Sequence, residues 1–310
     1  MPQGSEKRGR QQRLSVNGVL LLDKPAGMTS NQALQKVKRL LRARKAGHTG
    51  SLDPAATGML PLCFGEATKV CAYLLDADKT YRVTARLGET TDTGDGDGKV
   101  TGTAEVPSLS EAQWVSILGS FLGDIEQVPP MYSALKKDGK RLYELARKGE
   151  TVERAARPVR IHEIELLEMA GKRLVFRVRC SKGTYVRTLV EDIARAAGTV
   201  GYTARLHREA VGVFQSEDML DMAGAEAAAE DAGAPLTERL LPADAALAGW
   251  PSVQVAESDE PRFSGGQVVA CEGEEGGLTR VYGATGRFLG IGETDGTGSV
   301  APRRIFLLEE

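Results

Sequence analysis

Apolar residues crowd residues 16–22 without alternation, a pattern that predicts a short buried strand. Asp23, Lys24, Pro25, Ala26 and Gly27 then turn the chain, and Thr29 or Ser30 stands where a helix needs a cap. From Asn31 to about Arg44, Leu34, Val37, Leu40 and Leu41 recur at helical spacing, with Lys36, Lys38, Arg39 and Arg42 on the other face. A short helix is expected over 67–75. Over 80–87 the period drops to two, with Tyr81, Val83, Ala85 and Leu87 on one side of a half-buried strand. Further on, the pattern predicts a turn over 91–98 and a helix over 110–122. It then predicts an antiparallel hairpin from 158–168 and 173–180, a helix over 189–197 and a strand within 201–214.

Two segments depart from this rhythm. Residues 124–157 are irregular and basic, with one helical piece near 142–148; an insertion of that length in a domain is usually functional or mobile. Residues 217–248 are rich in alanine and acid and read as a solvated connecting helix. Beyond Trp250, short β-prone runs at 252–256, 267–270, 279–282, 288–292 and 304–307 are separated by glycines, as in a small all-β barrel. The expected fold is α/β (α+β): a mixed, largely antiparallel central sheet with flanking helices, plus a small C-terminal β-barrel.

Composition changes this picture little, whereas charge changes it more. The 310 residues suffice for a large core and two domains. No apolar run approaches the roughly 18 residues of a membrane span. The stretch 1–14 reads as a disordered basic tail without the apolar region of a secretory signal, so a cytoplasmic location is expected. Cys63, Cys71, Cys180 and Cys271 are scattered and form no CxxC pair, which disfavours structural zinc and favours reduced thiols. The net charge of −2 hides a segregation: 18 Lys/Arg against 9 Asp/Glu over 136–208, and 2 against 11 over 217–262. Together with the basic first 50 residues, this points to a face for a polyanion.

The candidate chemistry gathers in residues 47–61, which are too punctuated for a helix or a plain strand. Gly47, Gly50 and Gly58 with Pro54 and Pro61 surround one ionisable carboxylate, Asp53. Pro54 biases Asp53 away from the helical region, and the glycines allow tight turns or close approach. Locally, Asp53 reads equally as a turn cap or as a catalyst. The acidic turn 91–98 fails as a calcium loop, because with Thr93 at its first position Ala104 stands at the twelfth. Walker A, G-x-G-x-x-G, G-x-S-x-G and H-E-x-x-H patterns are absent, which disfavours a nucleotide hydrolase, a dehydrogenase, a serine hydrolase and a zincin.

The stretch from Gly47 to Pro61 resembles the catalytic motif of the TruB family, the tRNA pseudouridine-55 synthases. The resemblance extends to Leu21–Ser30, Lys79–Val83, Gly123–Lys136, Cys180–Thr188 and Ala301–Arg304. It implies that Asp53 is the catalytic carboxylate, that Arg187 pairs with it, and that Tyr81 stacks on a flipped uridine. It further implies that His48, Tyr185 and Leu206 line the substrate site and that Lys24 and Pro25 support the loop. No cofactor and no metal are implied. A neighbouring Arg orients a carboxylate and lowers its pKa. By the same resemblance, 15–248 is the catalytic domain, with an RNA-binding insertion over about 124–157, and 250–310 is a PUA-like RNA-binding domain. The implied partner is the T arm of tRNA, with no membrane and no obligatory protein partner; a monomer is expected, since RNA would occupy the basic face. Two other readings stand beside it: a pseudouridine synthase acting on another RNA, and a non-catalytic protein that binds or folds tRNA.

Overall fold

The alternation over 80–87 becomes the strand Lys79–Leu87, in which every second residue from Lys79 to Leu87 is buried. It belongs to a computed structural model that describes residues 13–308 apart from 134, 138, 232, 234 and 273–275. The basic tail expected over 1–14 thus lies, up to residue 12, outside the described residues. At its end Leu14 already bridges to Ala43.

Lys79–Leu87 lies at the middle of a mixed sheet. The order is Leu220–Asp221, Gly18–Lys24, Thr57–Phe64, Gly201–Val211, Lys79–Leu87, Arg173–Cys180, Arg157–Ala170, Gly123–Gln127, with Ala46–His48 also on Thr57–Phe64. Among the described residues, two of these pairings are parallel, Gly18–Lys24 with Leu220–Asp221 and Gly201–Val211 with Thr57–Phe64. The largely antiparallel mixed sheet expected from the sequence is therefore present. On one face, Tyr81, Val83, Leu174 and Phe176 pack against Trp114 and Leu118 of the helix Glu111–Gly119 and Leu189 and Ile193 of the helix Val186–Ala196. Each such large side chain contributes about 1.5–3 kcal/mol on burial.

The helix Ser30–Leu40 starts at Thr29, whose side chain caps Gln32 N while the Gln32 side chain returns to Thr29 N. It buries Ala33, Leu34 and Val37 against Leu20, Leu22, Leu60 and Leu62. It stops at Leu40, short of the expected 44, and Arg42 turns the chain with a φ of 51°.

Three expectations need correction. The second half of 47–61 is a plain strand, Thr57–Phe64. Leu60, Leu62 and Phe64 face one cluster and Met59 and Cys63 another, so burial on both faces removes the alternation that would reveal it. The stretch 217–248 is not a solvated connector. It adds Leu220–Asp221 to the sheet edge, forms the helix Met222–Glu230, and buries Met222, Ala225, Leu236, Ala243 and Leu247. Its alanines allow close packing while its acids face water, Glu226 meeting Lys36 at 2.6 Å. Residues 124–157 are not irregular throughout, because Gly123–Gln127 pairs with the start of Arg157–Ala170 at the sheet's far edge.

The C-terminal strands follow the order Ser252–Gln254, Gly277–Tyr282, Phe288–Thr294, Ser299–Ile305, Val269–Ala270. A bridge between Gln254 and Glu272 brings the first of these beside the end of the last, curling the sheet toward closure. This module shares a core with the mixed sheet. Phe288, Ile291 and Phe306 pack with Val19, Met59 and Val211, and Lys69 Nζ donates to Ile305 O at 2.6 Å. No helix among the described residues is long and apolar enough to cross a membrane.

Candidate active site

The strand Thr57–Phe64 is forked along one edge. Its start pairs with His207 and Arg208, its end pairs with Ala46–His48, and Met59 to Pro61 lie in the gap. Pro61 is tolerated there because that stretch of the edge asks no ladder donor of it. The carbonyls left open are taken up locally. Arg208 Nε donates to Met59 O at 2.6 Å, and Thr49 N donates to Pro61 O at 3.2 Å. The loop 49–56 arches over this fork and carries Asp53.

Short bonds hold the loop to the turn before the helix Ser30–Leu40. Leu52 N donates to Ser30 Oγ at 2.8 Å, and Ser30 Oγ donates back to Leu52 O at 3.2 Å. Pro54 O accepts from Gly27 N at 2.9 Å and from Lys24 Nζ at 3.3 Å. Lys24 is fully buried, and its ammonium also donates to Pro25 O and Met28 O, both at 2.8 Å. Burial lowers its pKa to about 8, against the pull of Asp53. The expected supporting role of Lys24 thus has a geometry.

Arg187 is the second residue of the helix Val186–Ala196 and lies only 8% exposed. Its Nη2 is 3.1 Å from Asp53 Oδ2, and its Nη1 is 3.5 Å from Asp95 Oδ2. The guanidinium also donates to Thr93 O at 2.9 Å and to Tyr132 O at 2.7 Å. The acidic turn 91–98 therefore serves an arginine. Thr93 Oγ1 holds the Asp95 carboxylate at 2.6 Å, and Thr203 N ties Gly94 O to the sheet at 3.1 Å.

Asp53 keeps 43% of its side-chain surface open, yet its pKa moves up, contrary to the lowering expected from an Arg neighbour. Crowding by protein is the largest cause. Arg187 and then Lys24 oppose it, while Asp95 and Asp97 add to it.

The other expected residues fall around this pair. Tyr81 is 9% exposed, and its hydroxyl, whose pKa burial raises, feels both Arg208 and Asp53. Leu206 is half-buried opposite Val83, two residues before Arg208, which stands opposite Tyr81. Tyr185 begins the helix that carries Arg187; its pKa is raised by burial, with Arg187 and Asp53 among its charged neighbours. His48 lies on the short strand leading into the loop. Its Nδ1 is buried without a hydrogen-bond partner among the described residues, and burial, then Arg208, lowers its pKa. Its tie is to Arg208, and no direct bond joins it to Asp53 among the described residues.

Sequence reasoning missed Asp95, Arg208, Ser30 and Gln127. Gln127, 2% exposed, brackets Tyr185 by accepting from its N–H at 3.0 Å and donating to its carbonyl at 3.4 Å. The available signals were weak: acids packed into one short turn, and one buried arginine in a strand that also carries Arg205, His207 and Glu209. Among the described residues, no group of three or more His, Cys, Asp or Glu side chains could hold a metal ion.

Residues 38–186 match the family described as TruB family pseudouridylate synthase (N terminal domain). Residues 187–248 match the tRNA pseudouridylate synthase B C-terminal domain, and 251–306 match Pseudouridine synthase II TruB, C-terminal. A tRNA pseudouridine synthase B of Pseudomonas putida (strain GB-1) is 50% identical over 299 residues, covering 96% of this chain and 98% of its own. One from Aromatoleum aromaticum is 50% identical over 301 residues, covering 97% and 96%. Among solved structures, a Cbf5-Nop10-Gar1 complex superposes with a TM-score of 0.73 at 25% identity, covering 94% of this chain and 85% of that one.

Proposed function

The chain belongs to the TruB family of pseudouridylate synthases, and from that premise we propose that it isomerises the uridine at position 55 in the T loop of tRNA, with Asp53 as the catalytic carboxylate. It is a tRNA pseudouridine synthase, an isomerase. The observation that carries the catalytic assignment is the Arg187–Asp53 pair at 3.1 Å, with the arginine buried and the carboxylate half-open. An arginine so fixed aims one carboxylate at whatever enters the cleft.

The reaction breaks the N1–C1′ bond, turns the base and forms a C5–C1′ bond, while the C5 proton leaves to water and N1 takes a proton in its place. Composition is unchanged, and no redox step is needed. An ionised Asp53 can attack the sugar, attack the base or take a proton from the sugar. The target base must leave its stack, which costs a few kcal/mol, and stacking on Tyr81 and Tyr185 returns about 1–3 kcal/mol per base. Leu206 and His48 complete the walls. The exposed Lys136, Lys137, Lys140 and Arg141 of the insertion, with the basic face of the helix Ser30–Leu40, meet phosphates of the T arm. In this reading 15–248 is the catalytic domain and 250–310 a PUA-like module adding RNA contact. The enzyme works in the cytoplasm as a monomer, without an obligatory protein partner.

The test is to treat unmodified tRNA with the purified protein alone and map pseudouridine. Modification at position 55 by a monomeric fraction supports the proposal. Modification elsewhere moves the substrate, and none at all leaves a protein that binds or folds tRNA.

A further inference from the structure

Arg208 is 1% exposed, and the roles assigned above do not use it. A buried guanidinium is expensive to desolvate and is normally matched by a carboxylate. Here the bonds it makes among the described residues go to carbonyls, Nε to Met59 O at 2.6 Å and Nη2 to Gly50 O at 3.1 Å. These lock its plane in the fork of the sheet. Two of the three glycines of the Asp53 motif pack on it. A side chain at Gly58 (φ 98°) would place its Cβ 2.3 Å from Arg208 O, and one at Gly50 (φ 93°) would place it 3.7 Å from Arg208 Nη1. Across the adjacent ladder, Arg208 stands directly opposite Tyr81. Residues so paired keep their side chains on one face within reach of each other, and the positive charge of the guanidinium acts on the phenol, opposing the rise in its pKa that burial causes.

We propose that Arg208 is a positioning residue that acts through Tyr81: locked by the carbonyls of Gly50 and Met59, its guanidinium orients the Tyr81 hydroxyl relative to the loop that presents Asp53. This deepens, and rests on, the roles proposed for Asp53 and Tyr81. One cation then registers the phenol and the carboxylate against the same uridine. A displacement of the phenol by an ångström is enough to slow the chemistry without weakening the hold on RNA.

The test is a double-mutant cycle on the full chain, read as single-turnover tritium release from tRNA carrying 5-tritiated uridine, with tRNA affinity measured in parallel. Arg208→Gln is expected to slow release about 100-fold and to leave Kd within about threefold. In a Tyr81→Phe background the same substitution is expected to cost less than about threefold, because the two act as one unit. Arg208→Lys keeps the charge without the planar fork and recovers only part of the rate; it carries the cycle if Arg208→Gln does not fold. An equal loss in both backgrounds, or a loss confined to Kd, overturns the proposal. Asp53→Asn run alongside separates the failures. If it still turns over, the catalytic assignment itself falls; if it is inactive while the cycle is additive, only the role of Arg208 falls.

Discussion

In the loop 49–56, Leu52 is bonded to Ser30 in both directions, Pro54 O takes two donors, and Gly50 O takes Arg208. In the insertion after Gln127, Lys136, Lys137, Lys140, Arg141, Arg147 and Lys148 are exposed. Its backbone there is tied by local bonds such as Leu142 N to Leu135 O at 2.8 Å. In the proposed function both segments serve one RNA, but they are held to different tolerances. A reacting carboxylate must be placed within fractions of an ångström, so its supports are short and buried. A phosphate contact works through charge over several ångströms, so the side chains that make it can stay solvated.

The largest effect that could break this contrast is Asp53→Asn. Tritium release should fall at least about 1,000-fold, with tRNA affinity within about tenfold, or 1.4 kcal/mol. Retained turnover would show that the clamped loop holds something other than the reacting group. Arg187→Met comes next. It strands the largely buried Asp95 and should cost about 3 kcal/mol in denaturant unfolding, together with most of the turnover. Wild-type stability in that variant would mean that the arginine is not the tie between the loop and the turn 91–98.

Neutralising Lys136, Lys137, Lys140 and Arg141 together should raise Kd and reduce the salt slope of tRNA binding by up to about three, with the single-turnover rate at saturating tRNA unchanged. A slowed rate with unchanged Kd would erase the distinction between the two segments.

The smallest effect is in pH. The raised pKa of Asp53 places the acid limb of the rate above the ordinary 3.8, and removing a negative neighbour by Asp95→Asn should move that limb down. A limb that moves up would overturn this assignment of charges. The sign for stability follows. A carboxyl whose folded pKa lies above its unfolded one weighs against the fold once ionised. That cost is absent below the unfolded value and grows as pH rises through the window toward the folded value. Asp53→Asn should therefore be no less heat-stable than the parent at neutral pH, although it loses an ion pair.

How much of this could be read along the chain depends on distance along the chain. The strand Lys79–Leu87, the cap at Thr29 and the hairpin of Arg157–Ala170 with Arg173–Cys180 were legible, because period and cap chemistry are set by neighbours a few residues apart. The strand Thr57–Phe64 was not, because burial on both faces leaves no period. The stretch 217–248 misled because alanine fits a solvated helix and a packed one equally well. Asp53, Arg187 and Tyr81 stood out through motifs, whereas Asp95, Ser30, Gln127 and Arg208 did not, since each works on partners far away in sequence.

Residue order alone thus settled the period-two strands, the capped helix, the turn forced by Pro54 and the segregation of charge, all of which follow from local sterics and solvation. Only folding decided that one edge of Thr57–Phe64 splits, that Arg208 fills the split, and that the pKa of Asp53 is pushed up by burial despite Arg187 at its side. Desolvation and charge act through space, and the fold chooses which carboxylates share one arginine.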